Sequence, residues 1–211
     1  RQKRSIMTAA AAAAAAAAVL EEEHKKQQQA LPVDRQWLKK LLVKHDPKNA
    51  TTALILAPMV DQSDLPFRLQ CRKYGTNLCF TPMIHARLFF TDVNYRTQFM
   101  VKDNLPADRP LIAQLCGSDP ETMLFTSLYL SEYCDAIDIN CGCPQSIAKR
   151  GCYGAYLLEQ EDVLLNLVRH LAQHLTVPLT IKVRLLPESS TFFHHGDDDA
   201  FGGGAGKFVP K

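Results

Sequence analysis

The densest chemistry in the chain lies in Asp138-Ile139-Asn140-Cys141-Gly142-Cys143-Pro144, where an apolar run ends in an amide, a small turn and a thiol. A thiol at a strand end facing a pocket can serve as a nucleophile or a proton donor. A buried structural thiol fits the same place. Cys141, Cys143 and Cys152 also raise a metal site, but a C-x-C pair without a matched second pair lacks a fourth ligand, and no metal is expected. Lys182 stands in Ile181-Lys182-Val183-Arg184. A lysine between β-branched residues on an apolar strand either pairs or points into a cavity. A solvated lysine on an edge strand is the alternative.

These residues need strands to carry them, and the sequence supplies a series. Leu54 to Ala57, Leu78 to Thr81, Leu111 to Leu115, Ala136 to Asn140 and Leu179 to Val183 are short apolar runs ending at polar or turn residues. Such runs suit parallel strands buried on both faces. Helical signals fill the gaps. Ser118-Asp119-Pro120-Glu121 has S-x-x-E capping spacing, and Ser63 is placed to cap a helix carrying Phe67, Cys71 and Tyr74. Leu164, Leu167, Val168, Leu171 and Leu175 recur on one helical face. The segment from Arg87 to Arg109 has no clear period. Repeated β-α units predict an α/β fold with a parallel sheet, either open and doubly wound or a (β/α)8 barrel. Gln114, Asn140 and Lys182 fall near the C-terminal ends of three different strands, as do Pro58 and Met59. That distribution favours the TIM barrel, with only about five of its eight βα units visible. No glycine-rich fingerprint follows the first strand, as a dinucleotide-binding domain would normally require.

Composition bounds the rest. The 211 residues carry 24 basic and 22 acidic side chains, a net charge of +2, which argues neither for nor against a polyanionic partner. Residues 1–53 read as a low-complexity, polar extension with an unbroken run of ten alanines, Ala9 to Ala18. Arg1 to Arg4 before that run imitate a signal peptide, but Glu21, Glu22 and Glu23 follow directly and disfavour secretory and mitochondrial targeting. Lys25 and Lys26 lie four residues after Glu21 and Glu22, a spacing that supports a solvated helix. Seven cysteines, an odd number and several in apolar runs, exclude a secreted disulfide framework. A reducing cytoplasmic or nuclear setting is expected, with no membrane association. Residues 188–211 turn acidic and then glycine-rich, the composition of a disordered tail.

Taken together, the motifs resemble a known family. Leu56-Ala57-Pro58-Met59-Val60-Asp61, then Thr81-Pro82-Met83, is similar to the opening of a tRNA-dihydrouridine synthase. Gln114-Leu115-Cys116-Gly117-Ser118-Asp119-Pro120 resembles its third-strand motif. Asp138 to Pro144, with Lys149-Arg150-Gly151 and Gly154-Ala155, resembles its signature loop, and Ile181 to Arg184 its fifth strand. The wording Val60-Asp61-Gln62-Ser63 is nearest the eukaryotic branch associated with tRNA positions 16 and 17. The resemblance spans residues 54–187 and implies an FMN enzyme that uses NADPH to reduce the 5,6 double bond of a uridine in the tRNA D-loop. It implies that Cys143 is the acid at C5. Pro58, Met59 and Val60 would wall the isoalloxazine, Gln114 would bond its polar edge, and Lys182 would lie near its N1/O2 side. Asn140 and Arg184 would contact the uracil, and Lys149 and Arg150 the tRNA.

The pattern departs from the family after Pro187. The sixth-strand histidine in a His-Gly-Arg context has no counterpart, because His194-His195-Gly196 follows no strand and leads into Asp197-Asp198-Asp199. Strands six to eight, with their phosphate-gripping loops, and the helical RNA domain are also without counterparts. The expectation is a truncated product that binds FMN weakly and turns over little. Two other functions remain open at this level. One is an FMN barrel acting on a free pyrimidine, of the dihydroorotate type. The other is a non-catalytic fragment that binds RNA or a protein partner.

Overall fold

The structure, a computed structural model, describes residues 33–34, 36–45, 53–99 and 106–184, with side chains of 42–45 excepted. The alanine run, the tail after Pro187 and its histidines lie outside the described residues. Among the described residues six strands form one parallel sheet: β1 (Ile55–Leu56), β2 (Leu78–Phe80), β3 (Ile84–His85), β4 (Leu111–Cys116), β5 (Ala136–Cys141) and β6 (Leu179–Val183). The order is β1-β2-β4-β5-β6, with the short β3 paired beside the end of β4. Each long strand therefore lies next to its successor. A doubly wound sheet reverses direction at a switch point, and this one does not. The fold is an open segment of a β/α barrel.

Five strands fall where the apolar runs predict them. The sixth, β3, went unread because two residues carry no pattern, and it exists only through pairing of Ile84 with Leu115 and His85 with Cys116. Helices follow the strands: α2 (Leu65–Lys73), α3 (Ala86–Thr91), α4 (Val93–Phe99), α5 (Pro120–Ser131), α6 (Ser146–Arg150) and α7 (Glu161–His174). The leucine stripe of α7 is on its buried side, with Leu167, Leu171 and Leu175 in the core and Leu164 and Val168 packed against it. Both capping assignments shift by one residue. Asp119, not Ser118, caps α5, accepting from the Thr122 N–H at 2.9 Å. Pro120 occupies the first turn, so the acceptor must stand immediately before it. At α2 the cap position belongs to Asp64, whose side chain makes no capping bond. Ser63 is instead committed to Met59.

Alternation along the strands divides the sheet into two faces. Ala113, Leu115, Ile137, Ile139 and Cys141 point outward into the main core with Met123, Leu128, Leu167 and Leu171 from the helices. The inward residues form layers, as in a barrel. At the base, Leu78, Ile112 and Ala136 are covered by Trp37, Leu38 and Leu41. Those three belong to α1 (Trp37–His45), a helix within the stretch read as a polar extension. At mid-height come Gln114, Asp138 and Thr180, aligned by the register of β4, β5 and β6. Asn140 and Lys182 are paired in register above them. β6 leaves Ile181 39% and Val183 51% exposed.

Candidate active site

The inward polar side chains form one hydrogen-bonded relay across three strands. Thr180 Oγ1 donates to Asp138 Oδ1 at 2.7 Å, and Gln114 Nε2 donates to Asp138 Oδ2 at 2.7 Å. Asn140 Nδ2 in turn donates to Gln114 Oε1 at 2.9 Å. Asn140 Oδ1 then accepts two backbone N–H groups, from Gly142 and Cys143, each at 3.0 Å. Those two donors fix the amide's orientation, since only its oxygen can face them. The strand end, the turn and the thiol are thus held by a single side chain. Asp138 is 1% exposed, and burial pushes its pKa above the ordinary carboxylate value. The bonds from Gln114 and Thr180 and the charge of Lys182 oppose that rise.

Cys143 sits where this turn meets a second loop. It is half-buried against the cluster of Cys116, Ala148 and Tyr153, on which Met83 and Tyr156 also pack. Its carbonyl accepts from the Ala155 N–H at 3.0 Å. The neighbouring Gly154 has φ +69, and a Cβ there would lie 2.5 Å from the Cys143 carbonyl oxygen and 3.0 Å from its Cβ. Only glycine fits so close an approach in that conformation. All seven cysteines are free, but they are not equivalent. Burial pushes the thiols of Cys116, Cys134 and Cys141 up to about 12. Cys143 is half-buried, whereas its rival Cys152 is exposed at φ 53 beyond α6.

The remaining predicted residues surround this centre unevenly. Lys182 is exposed, and among the described residues no acceptor lies within hydrogen-bonding reach of it. The stem of Arg184 passes over Gly142, where an added Cβ would lie 3.4 Å from its Cγ. Lys149 and Arg150 are exposed on α6, and Lys149 Nζ lies 5.7 Å from the centre of the Tyr156 ring. Pro58 and Met59 are half-buried after β1, and Val60 is 55% exposed. Gln114, Asn140, Cys143 and Lys182 therefore share one end of adjoining strands, with Pro58 to Val60 at the same end of β1, on the far side of β2. A cavity of about 660 Å³ opens beside the loop after β1, lined by Val60, Asp61, Arg68, Thr81, Pro82 and Met83 among others. None of Gln114, Asn140, Cys143 or Lys182 borders it.

Sequence reasoning missed Asp138 as a working group, along with Thr180, Gly154 and Tyr153. An acid flanked by isoleucines on a buried strand was the available signal, because such a group must find donors. His85 gave none. Its ring packs edge-on against Tyr153 at 5.3 Å, and among the described residues its buried Nδ1 has no hydrogen-bond partner. Among the described residues no three His, Cys, Asp or Glu side chains are grouped to hold a metal ion, and no helix is long and apolar enough to cross a membrane.

Comparison with known proteins matches the same segment. The family model described as Dihydrouridine synthase (Dus) covers residues 55–195, extending past Pro187. A rat protein named tRNA-dihydrouridine(16/17) synthase [NAD(P)(+)]-like is 51% identical over 134 residues, 64% of this chain and 31% of its own length. The Schizosaccharomyces pombe tRNA-dihydrouridine(16/17) synthase [NAD(P)(+)] is 46% identical over 134 residues, 64% of this chain and 34% of its own. A mouse tRNA-dihydrouridine(20a/20b) synthase [NAD(P)+]-like is 36% identical over 134 residues, 62% of this chain and 41% of its own. The chain spans about a third of the length of the 16/17 relatives it matches. With the family model matching more than half of the chain, in the segment that carries the relay and the thiol loop, this protein belongs to the dihydrouridine synthase family.

Proposed function

We propose that the chain supplies the first part of the catalytic barrel of a tRNA-dihydrouridine synthase, an FMN-dependent enzyme that uses NADPH to reduce the 5,6 double bond of a D-loop uridine inside the cell. The observation that carries this reading is the Asn140 side chain, which holds the Gly142 and Cys143 N–H groups and so presents one half-buried thiol at the end of the strand where Asn140 pairs in register with Lys182.

The residues present suit a flavin. Lys182 offers a cation with no competing acceptor among the described residues, as the anionic reduced ring requires. Gln114 has used two of the four hydrogen-bonding sites of its amide, on Asp138 and Asn140, and keeps one N–H and one lone pair. Pro58, Met59 and Val60 would form the backbone wall. When bound, FMN supplies the hydride transfer between NADPH and C6 of the base. Cys143 would hold the proton destined for C5, at a height fixed by the Asx turn that Asn140 makes. Asn140 has one amide N–H left to meet a uracil carbonyl, and Arg184 stands over the same turn. A stacked uridine cannot reach such a site, so the base must leave its stack. Lys149 and Arg150, exposed beside the thiol loop, would contact phosphates without reading sequence.

A chimera tests the assignment, with residues 54–184 replacing the matching segment of the S. pombe relative. Its NADPH oxidation in the presence of FMN is expected to depend on unmodified tRNA. Oxidation supported equally by free orotate or uracil would favour the free-pyrimidine reading. Binding of tRNA that persists without FMN and without Cys143, and with no oxidation at all, would favour the non-catalytic one.

A further inference from the structure

We infer that Arg68 is a positioning residue for the loop between β1 and α2, and that it sets the Met59 peptide at the height a flavin ring would meet. The inference rests on the proposed role of Pro58, Met59 and Val60 as the flavin wall.

Arg68 is 3% exposed and Asp108 2%, and neither is near the thiol or the polar relay in sequence. Arg68 Nε donates to Asp108 Oδ2 at 2.9 Å and Oδ1 at 3.2 Å, and its Nη2 donates to Oδ2 at 2.7 Å. The other arm of the guanidinium, Nη1, donates to the Ser63 carbonyl at 2.7 Å. Ser63, fully buried, closes the loop on itself. Its Oγ accepts the Met59 N–H at 2.9 Å and donates to the Met59 carbonyl at 3.1 Å, and its own N–H reaches that carbonyl at 3.0 Å. Arg72 secures the far side, donating from Nη2 to the carbonyls of Asp108 at 2.9 Å and Pro110 at 2.7 Å.

A continuous set of hydrogen bonds therefore runs from the entrance of β4 to the Met59 backbone. An ion pair alone would need only one edge of the guanidinium. The second arm, on Ser63, adds nothing to charge compensation and fixes where the loop stands. The fork geometry is specific to arginine, since a lysine ammonium can meet the carboxylate but cannot span both partners in one plane. The loop needs such a tie, because Asp61 within it is held at φ 59, a conformation L residues seldom adopt unaided.

Arg68→Lys in the 211-residue chain separates the two roles, keeping a charge against Asp108 and losing the Ser63 arm. Hydrogen exchange at the Met59 amide is expected to quicken about ten-fold, the worth of one ordinary hydrogen bond. Exchange at Ile112 and Ile137 in the central strands should not change. The dissociation constant for FMN, read by quenching of flavin fluorescence, should rise by about the same factor. Unchanged exchange at Met59, or equal quickening at Ile112 and Ile137, would overturn the inference. If Arg68→Lys fails to fold, Ser63→Ala must weaken FMN binding with Ile112 and Ile137 exchange intact, and an unchanged affinity overturns the inference. If the unaltered chain binds no FMN, the flavin reading of the wall fails, while exchange at Met59 still decides whether Arg68 sets the loop.

Discussion

Gly154→Ala tests the packing that holds the thiol loop. Gly154 has φ +69, so any L side chain there meets left-handed strain of about 1–2 kcal/mol. The added methyl would also start 2.5 Å from the Cys143 carbonyl oxygen, which is backbone and cannot rotate away. The two loops must part, and the Ala155 N–H bond to that carbonyl, 3.0 Å long, is lost for a further 0.5–1.5 kcal/mol or so. The expected destabilisation is about 1.5–3.5 kcal/mol. Gly75→Ala is the control, since it too is left-handed at φ +93 but its new methyl would meet only Leu54 Cδ1 at 3.9 Å. That variant should lose only the strain, about 1–2 kcal/mol. Urea unfolding of both variants measures the difference, and mapped alkylation of Cys143 in native conditions should run faster in Gly154→Ala. Equal destabilisation by the two substitutions, with unaltered Cys143 labelling, would refute the close-approach argument.

Other substitutions probe the relay. Asn140→Ala orphans the N–H groups of Gly142 and Cys143 and should cost about 2 kcal/mol by urea unfolding, discounted for their partial solvent access. Asp138 has its pKa raised on folding from an ordinary 3.8, chiefly by burial. The native state therefore keeps its proton over a range in which the unfolded chain has lost it. This contribution to stability is full below about 3.8 and is lost as pH rises through the native pKa. Urea midpoints measured upward from pH 4 should show that decline in the parent and a flatter profile in Asp138→Asn; identical slopes would contradict the buried-acid account.

The elements whose partners are local were legible from residue order. The α7 leucines repeat at helical spacing and meet the core as a stripe, and β4 and β5 read as apolar runs because helices cover one face and an inner layer the other. Features set by distant partners were not. Nothing near Trp37 says that Leu78, Ile112 and Ala136 await it, and the lysines around it read as a polar stretch. Ser63 stands where a cap is expected before the helix carrying Phe67 and Cys71, yet its hydroxyl is claimed by the Met59 backbone. At the site, residue types pointed to Gln114, Asn140, Cys143 and Lys182, and the strand register sets Gln114, Asn140 and Lys182 on neighbouring strands. The bonds joining the first two to Asp138 and Thr180 depend on strand register, which no single strand carries.

The most direct test of the central claim compares two thiols on one loop. In the S. pombe chimera carrying residues 54–184, dihydrouridine in tRNA is measured by mass after incubation with FMN and NADPH. Cys143→Ala should remove the product, while Cys152→Ala, which alters an exposed thiol outside the Asn140 turn, should leave it near the parent level. Undiminished product from Cys143→Ala, or its loss only in Cys152→Ala, would contradict the assignment of Cys143 as the acid.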